Sequence, residues 1–381
     1  MMSDFKEVTD FIKGQFSDQD FIPLHAPRFK GKEREFVMDA IDSTFVSTVG
    51  EYVNKFESMM AEISGAKYAI ATVNGTSSLH IALVVAGVSS DDEVITQPLT
   101  FIATTNAIAY TGARPVFVDV DKDTMGMSPD SLNDFLESHA ELKAGICINK
   151  DTKRKISACV PMHTFGHACR IDEIQEICRK WNIALIEDSA ESLGSYYRGT
   201  HTGTFGEMGC FSFNGNKIVT SGGGGALVTN DENLAKKAKH LTTQAKKPHK
   251  WEYVHDYVGY NYRMPNLNAA MACAQLEQLT TFIENKRQLA ESYKQFFSDH
   301  PITFREEPKN CKSNYWLNAV ELNDRAERDL FLQYTNDNGV MTRPVWALMS
   351  DLDLYKENQV FDIKNSTYLA DRIVNIPSSV R

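Results

Sequence analysis

The chain has 381 residues, 42% of them hydrophobic and 24% charged, with a net charge of −10. That length accommodates one large α/β domain plus a smaller one, and an acidic balance without a basic stripe argues against nucleic acid as a partner. The N-terminal residues lack the basic-then-apolar order of a signal peptide and no apolar run reaches membrane-spanning length, so a cytoplasmic enzyme is expected. The seven cysteines form no C-x-x-C pair, and their odd number suits reduced thiols.

In chain order, residues 4–16 carry helical periodicity, with Phe5, Val8, Phe11, Ile12 and Phe16 on one side. Residues 18–20 break it, and the two prolines of 21–27 force an extended segment. Helical patterns cover 32–41 and 52–63, separated by a polar loop over 43–50. From residue 68 short apolar runs alternate with helical stretches. Runs at 68–73, 93–97, 115–120, 157–162, 183–186, 210–213 and 226–229 read as strands, and 76–86 and 234–241 as helices. Such alternation predicts a three-layer α/β/α large domain around a mostly parallel sheet, with sites gathering where strands end and helices begin. The basic, aromatic run 246–262 interrupts the pattern. Beyond it come a long helix over 268–297 and a mixed segment, 315–345. We therefore expect a large domain over 1–250, including the N-terminal helix, and a smaller C-terminal α/β domain over 251–381.

Chemistry concentrates around Lys217. Strand Cys210–Phe213 stops at the Asn214-Gly215 turn, Lys217 follows, and then come the four glycines Gly222 to Gly225. Glycines permit close backbone approach to a ligand or another chain, and a lysine in such surroundings suits Schiff-base chemistry with a carbonyl; most lysines are plain surface charges. The stretch is neither a P-loop nor a dinucleotide fingerprint, because the glycines follow the lysine and lead into a strand. Gly75-Thr76-Ser77-Ser78 opens a helix and reads either as a phosphate cradle or as an ordinary cap. Ser212 is either a further phosphate donor or a plain strand serine. Glu187-Asp188 closes an apolar strand. A carboxylate there caps a loop, binds a metal, or holds a proton on a heterocyclic nitrogen; no histidine cluster at ligand spacing favours the metal. Phe101 is either core or a platform for a flat ring. Read together and in chain order, these pieces match pyridoxal phosphate.

With those residues in view, the chain resembles the DegT-type nucleotide-sugar aminotransferases, a branch of the fold type I pyridoxal-phosphate enzymes. The resemblance rests on Asn74-Gly75-Thr76-Ser77-Ser78, Thr100 to Thr104, Pro161-Met162-His163, Glu187-Asp188-Ser189-Ala190, Phe211-Ser212-Phe213 with Lys217, and Gly259 to Met264. It implies that Lys217 carries the cofactor as a Schiff base and shuttles the proton during transfer from L-glutamate, and that Asp188 holds the ring nitrogen. It further implies that Phe101 and Ala190 sandwich the ring, that Thr76, Ser77 and Ser212 grip the phosphate, and that His163 belongs to the cofactor's surroundings. Asn261 would reach the phosphate of a neighbouring subunit, making a homodimer, while Thr48 and Arg343 lie where relatives handle the nucleotide-linked ketosugar. Glu191 departs from the histidine or glutamine frequent beside the cofactor's phenolic oxygen, so it is expected to be protonated or paired. The segments 21–29, 41–47 and 187–195 look like the legionaminic-acid-pathway members. The resemblance thus implies amination at C4 of a UDP-2-acetamido-4-keto-6-deoxyhexose, with a GDP-perosamine-type 4-aminotransferase as the alternative.

Overall fold

A computed structural model describes residues 2–16 and 19–381, so the first residue of the helix break expected over 18–20 lies outside the described residues. An eight-stranded sheet organises the large unit. Its order is Tyr68–Thr72, Gly225–Thr229, Met208–Ser212, Ala184–Asp188, Ile156–Val160, Glu93–Thr96, Arg114–Val118 and Val360–Phe361. From Met208–Ser212 to the far edge all neighbours run parallel, while Gly225–Thr229 is antiparallel to both of its partners.

Both faces of the sheet are covered, so successive side chains of a strand enter different cores. Ile70, Val94, Ile186, Cys210 and Leu227 pack beneath helices Gly75–Val85 and Glu232–Thr242. Ala71, Phe211, Ala226 and Val228 face one core on the other side, and Ile95, Val116 and Leu185 face another. This double burial is why the strands read as continuous apolar runs, and it gives the expected three layers.

A four-stranded antiparallel sheet, ordered Thr303–Phe304, Asn318–Glu321, Ile373–Ile376 and Arg343–Pro344, forms the smaller unit. The two units do not divide cleanly at residue 250. The N-terminal helix Met2–Gln15, expected with the large domain, buries Phe5, Val8 and Ile12 against Tyr293, Phe331, Val374 and Ile376 of the smaller one. Conversely, Val360–Phe361 supplies the edge strand of the large sheet. The single helix expected over 268–297 is two, Asn266–Leu276 and Leu279–Phe297. All seven cysteines are free thiols. Among the described residues no helix is long and apolar enough to cross a membrane, and no cluster of His, Cys, Asp and Glu is arranged to hold a metal.

Candidate active site

The strands Ala184–Asp188 and Met208–Ser212 pair in parallel and end side by side, which brings Asp188 and Ser212 to the same edge of the sheet. They open onto a cavity of about 320 Å³ that also receives Gly75, Thr76, Phe101, Ala190, Glu191 and Lys217. Eight residues singled out from the sequence, as far apart as Gly75 and Lys217, therefore share one wall.

The helix Gly75–Val85 points its N-terminus into this cavity. Asn74 caps it, its Oδ1 accepting from the Ser77 amide at 2.8 Å. Glycine at 75 is required by space: a Cβ there would meet Ser212 Cβ at 2.8 Å. Gly225 serves the same corner, since a Cβ on it would lie 2.4 Å from the Asn74 carbonyl carbon. Part of the glycine run therefore serves close packing beneath the Asn74-Gly75 turn. The result is a helix N-terminus flanked by the Thr76 and Ser212 hydroxyls, a ready place for a phosphate.

Asp188 is buried. Its Oδ2 accepts from Thr104 Oγ1 at 2.7 Å and its Oδ1 from the Ala190 amide at 3.2 Å. Burial raises its carboxyl above the usual carboxylate range, against the pull of those two donors and of Lys217. The neighbouring Glu187 points the opposite way. It accepts from the amides of Gly203, Phe205 and Gly206, each at 2.7 Å, and faces His163 Nε2 at 2.9 Å. Burial alone would lower the His163 imidazole, but Cys169 and Glu187 outweigh it and push it up to about 10. Of the two strand-end carboxylates, one faces the cavity and the other pins a loop behind it.

The side chain of Lys217 is 13% exposed. Its Nζ lies 3.3 Å from Glu191 Oε1 and 3.9 Å from the ring centre of Trp316, whose own Nε1 donates to the Asn216 carbonyl at 2.7 Å. Glu191 Oε2 accepts from the Phe165 amide at 2.8 Å. Burial pushes the Glu191 carboxyl up to about 7, although Lys217 and the Phe165 amide both oppose it. The expectation that Glu191 is protonated or paired thus has a concrete partner, Lys217 itself.

A family model described as the DegT/DnrJ/EryC1/StrS aminotransferase family matches residues 27–381. The chain belongs to the DegT/DnrJ/EryC1/StrS aminotransferase family. GDP-perosamine synthase of Escherichia coli O157:H7 is 39% identical, over 94% of this chain and 93% of the relative; that of Vibrio cholerae is 35% identical, over 94% of each. In structure, the aminotransferase TlmJ from Streptoalloteichus hindustanus superposes with a TM-score of 0.85 at 26% identity, covering 94% of this chain and 93% of that one. As a member of the DegT family the chain is a pyridoxal-phosphate-dependent nucleotide-sugar aminotransferase.

Five residues expected at the site lie elsewhere than on the cavity wall. Ser77 spends its amide on the Asn74 cap and its side chain is buried. His163 lies behind the wall, since in an extended segment neighbours face opposite ways; Met162, bridged to Asp188, is the residue that reaches the cavity. Asn261 is exposed and bridged to Thr243. Thr48 sits in the loop beside a separate depression lined by Phe45, Val49 and Arg263. Arg343 is exposed, its Nη1 donating to Asn336 Oδ1 at 3.1 Å. Sequence reading missed Trp316 and Trp346, which the smaller unit contributes to the cavity. Neither sits in a periodic pattern; the scarcity of tryptophan, four in the chain, was the available signal.

Proposed function

We propose that this enzyme moves an amino group from L-glutamate to C4 of a nucleotide-linked 4-keto-6-deoxyhexose, with a GDP-linked, perosamine-type sugar as the acceptor. The observation that carries the acceptor is that relatives sharing 35–39% identity over 94–95% of the chain bear the name GDP-perosamine synthase. They support the GDP-linked alternative over the UDP-linked sugar suggested by the legionaminic-type segments.

The residues present fit the cofactor. The cavity has a helix N-terminus and hydroxyls at one end, a buried carboxylate on its wall and a lysine within reach. Bound pyridoxal phosphate would supply an electron sink for a carbanion next to nitrogen. Thr76 and Ser212 would hold its phosphate, Asp188 its ring-nitrogen proton, and Phe101 and Ala190 its ring faces. Lys217 would hold the cofactor as a Schiff base and, once displaced, would carry a proton on Nζ between the substrate carbon that bears nitrogen and the cofactor's aldehyde carbon. That task requires a neutral amine beside groups that keep water out, and Trp316, Trp346 and Met162 provide such a wall.

We further infer a homodimer with Asn261 serving the neighbour's site. Supporting this, the segment just before Asn261 exposes Trp251, Tyr253, Tyr257 and Val258, each at least 66% accessible. An apolar exposed stretch of this kind marks an interaction surface.

The test of the acceptor is turnover of purified protein with L-glutamate and either a GDP- or a UDP-linked 4-keto-6-deoxyhexose. Preference for the GDP sugar is expected; a preference for the UDP-2-acetamido sugar would return the assignment to the legionaminic type.

A further inference from the structure

Lys217 and Glu191 form a closed pair. One oxygen of Glu191 is committed to the Phe165 amide at 2.8 Å, and the other faces Nζ at 3.3 Å. The Glu191 side chain is 1% exposed, so this second oxygen has Lys217 rather than water as its partner. Phe165 itself sits at φ +58°, a left-handed conformation that a non-glycine residue adopts only when its surroundings impose it. Its amide donates to Glu191, and the backbone carbonyl of Glu191 is tied to Asn314 Nδ2 at 2.9 Å. The carboxyl group is held on both sides and presents a single free oxygen to a single amine.

We propose that Glu191 is the proton-holding partner of Lys217: the ammonium of the ligand-free enzyme hands its proton to Glu191 Oε1, so that the amine becomes nucleophilic without releasing a proton to water. The N–H bond on Nζ breaks, an O–H bond on Oε1 forms, and an ion pair becomes a neutral amine beside a neutral acid, with the charge of the pair unchanged. Glu191 acts through Lys217 and is a positioning residue. The inference rests on the reading above of Lys217 as the reactive amine.

The other titratable groups acting on the pair are Asp188, at the end of the preceding strand, and His25, from the N-terminal segment. Burial, with Lys286 and Lys217 nearby, drives the His25 imidazole well below its usual value, so it is neutral. Because a coupled pair titrates as a unit, the fraction of neutral amine is constant wherever the pair holds one proton. A lone lysine behaves differently, since its free-amine fraction rises tenfold per pH unit below its own titration.

The experiment follows pyridoxal phosphate capture by the ligand-free protein through the visible absorbance it creates, between pH 6 and 9, in wild type and Glu191→Gln. In parallel, Lys217 is labelled with an amine-reactive sulfonate and read by peptide mass. Wild type should level off near pH 7, where Glu191 titrates. Glu191→Gln should go on rising, so that its rate relative to wild type grows about fivefold from pH 7 to pH 8 and approaches tenfold per unit above that. Superimposable profiles, or a constant offset between them, would overturn the proposal and leave Glu191 a packing group. If the variant does not fold, wild type decides alone, because an unbroken tenfold rise per unit through pH 8 contradicts a shared proton. Neither readout uses a nucleotide sugar, so this result and the acceptor assignment stand or fall separately.

Discussion

At the scale of single residues, two carboxylates adjacent in sequence serve opposite purposes. Asp188 faces the cavity, and Glu187 satisfies three loop amides and His163 behind it. Removing Glu187 would leave the buried Gly203 amide and His163, and the half-buried amides of Phe205 and Gly206, without that acceptor. Glu187→Ala should therefore cost about 3–5 kcal/mol in urea unfolding, whereas Asp188→Asn should unfold close to wild type while losing most of its turnover. Glu191 adds a pH signature. Its folded-state titration, raised by burial to about 7 from an ordinary 4.5, favours the protonated form in the folded protein. The resulting stability is present in full below the unfolded value and is lost as pH rises through 7. The melting temperature of the ligand-free wild type, relative to Glu191→Gln, should thus fall between pH 5 and 8.

At the scale of elements, the strand ends were legible in the sequence because each apolar run stops at a polar or glycine-containing turn. The Asn74-Gly75 and Asn214-Gly215 turns and the pair Glu187-Asp188 marked the corners of the cavity directly. What the sequence did not reveal was which face a residue takes in an irregular segment. Met162 rather than His163 reaches the wall, and Ser77 is absorbed by its own cap. Both outcomes depend on hydrogen bonds between segments that periodicity does not encode. The helix break after Leu276 is likewise hidden. No glycine or proline marks it; instead Gln278 turns its Nε2 to Glu33 Oε1 at 2.7 Å, a tertiary contact. In Gly225→Ala the added Cβ would meet the Asn74 carbonyl carbon at 2.4 Å and push the capped turn away from Ser212. Binding of pyridoxal phosphate should weaken at least tenfold while Lys217 remains reactive, as measured by titrating the visible absorbance.

At the scale of the whole molecule, two units meet at the cavity, with the large sheet giving Asp188, Ser212 and Lys217 and the smaller unit Trp316 and Trp346. Met2–Gln15 crosses into the smaller unit and Val360–Phe361 into the large sheet, an exchange that a boundary drawn from composition does not anticipate. A shared-site dimer makes a sharp expectation about mixtures. Lys217→Ala and Asn261→Ala, each inactive alone, should together regain about a quarter of wild-type turnover when subunits exchange, because half the dimers then carry one intact site. Sites confined to one subunit would regain none.

The measurement that most directly tests the account is borohydride reduction of the protein after incubation with pyridoxal phosphate, followed by peptide mass analysis. The cofactor's mass should appear on the peptide containing Lys217 and disappear from it when L-glutamate is added before the reductant. Attachment at another lysine, or none at all, would contradict the central role assigned to that amine.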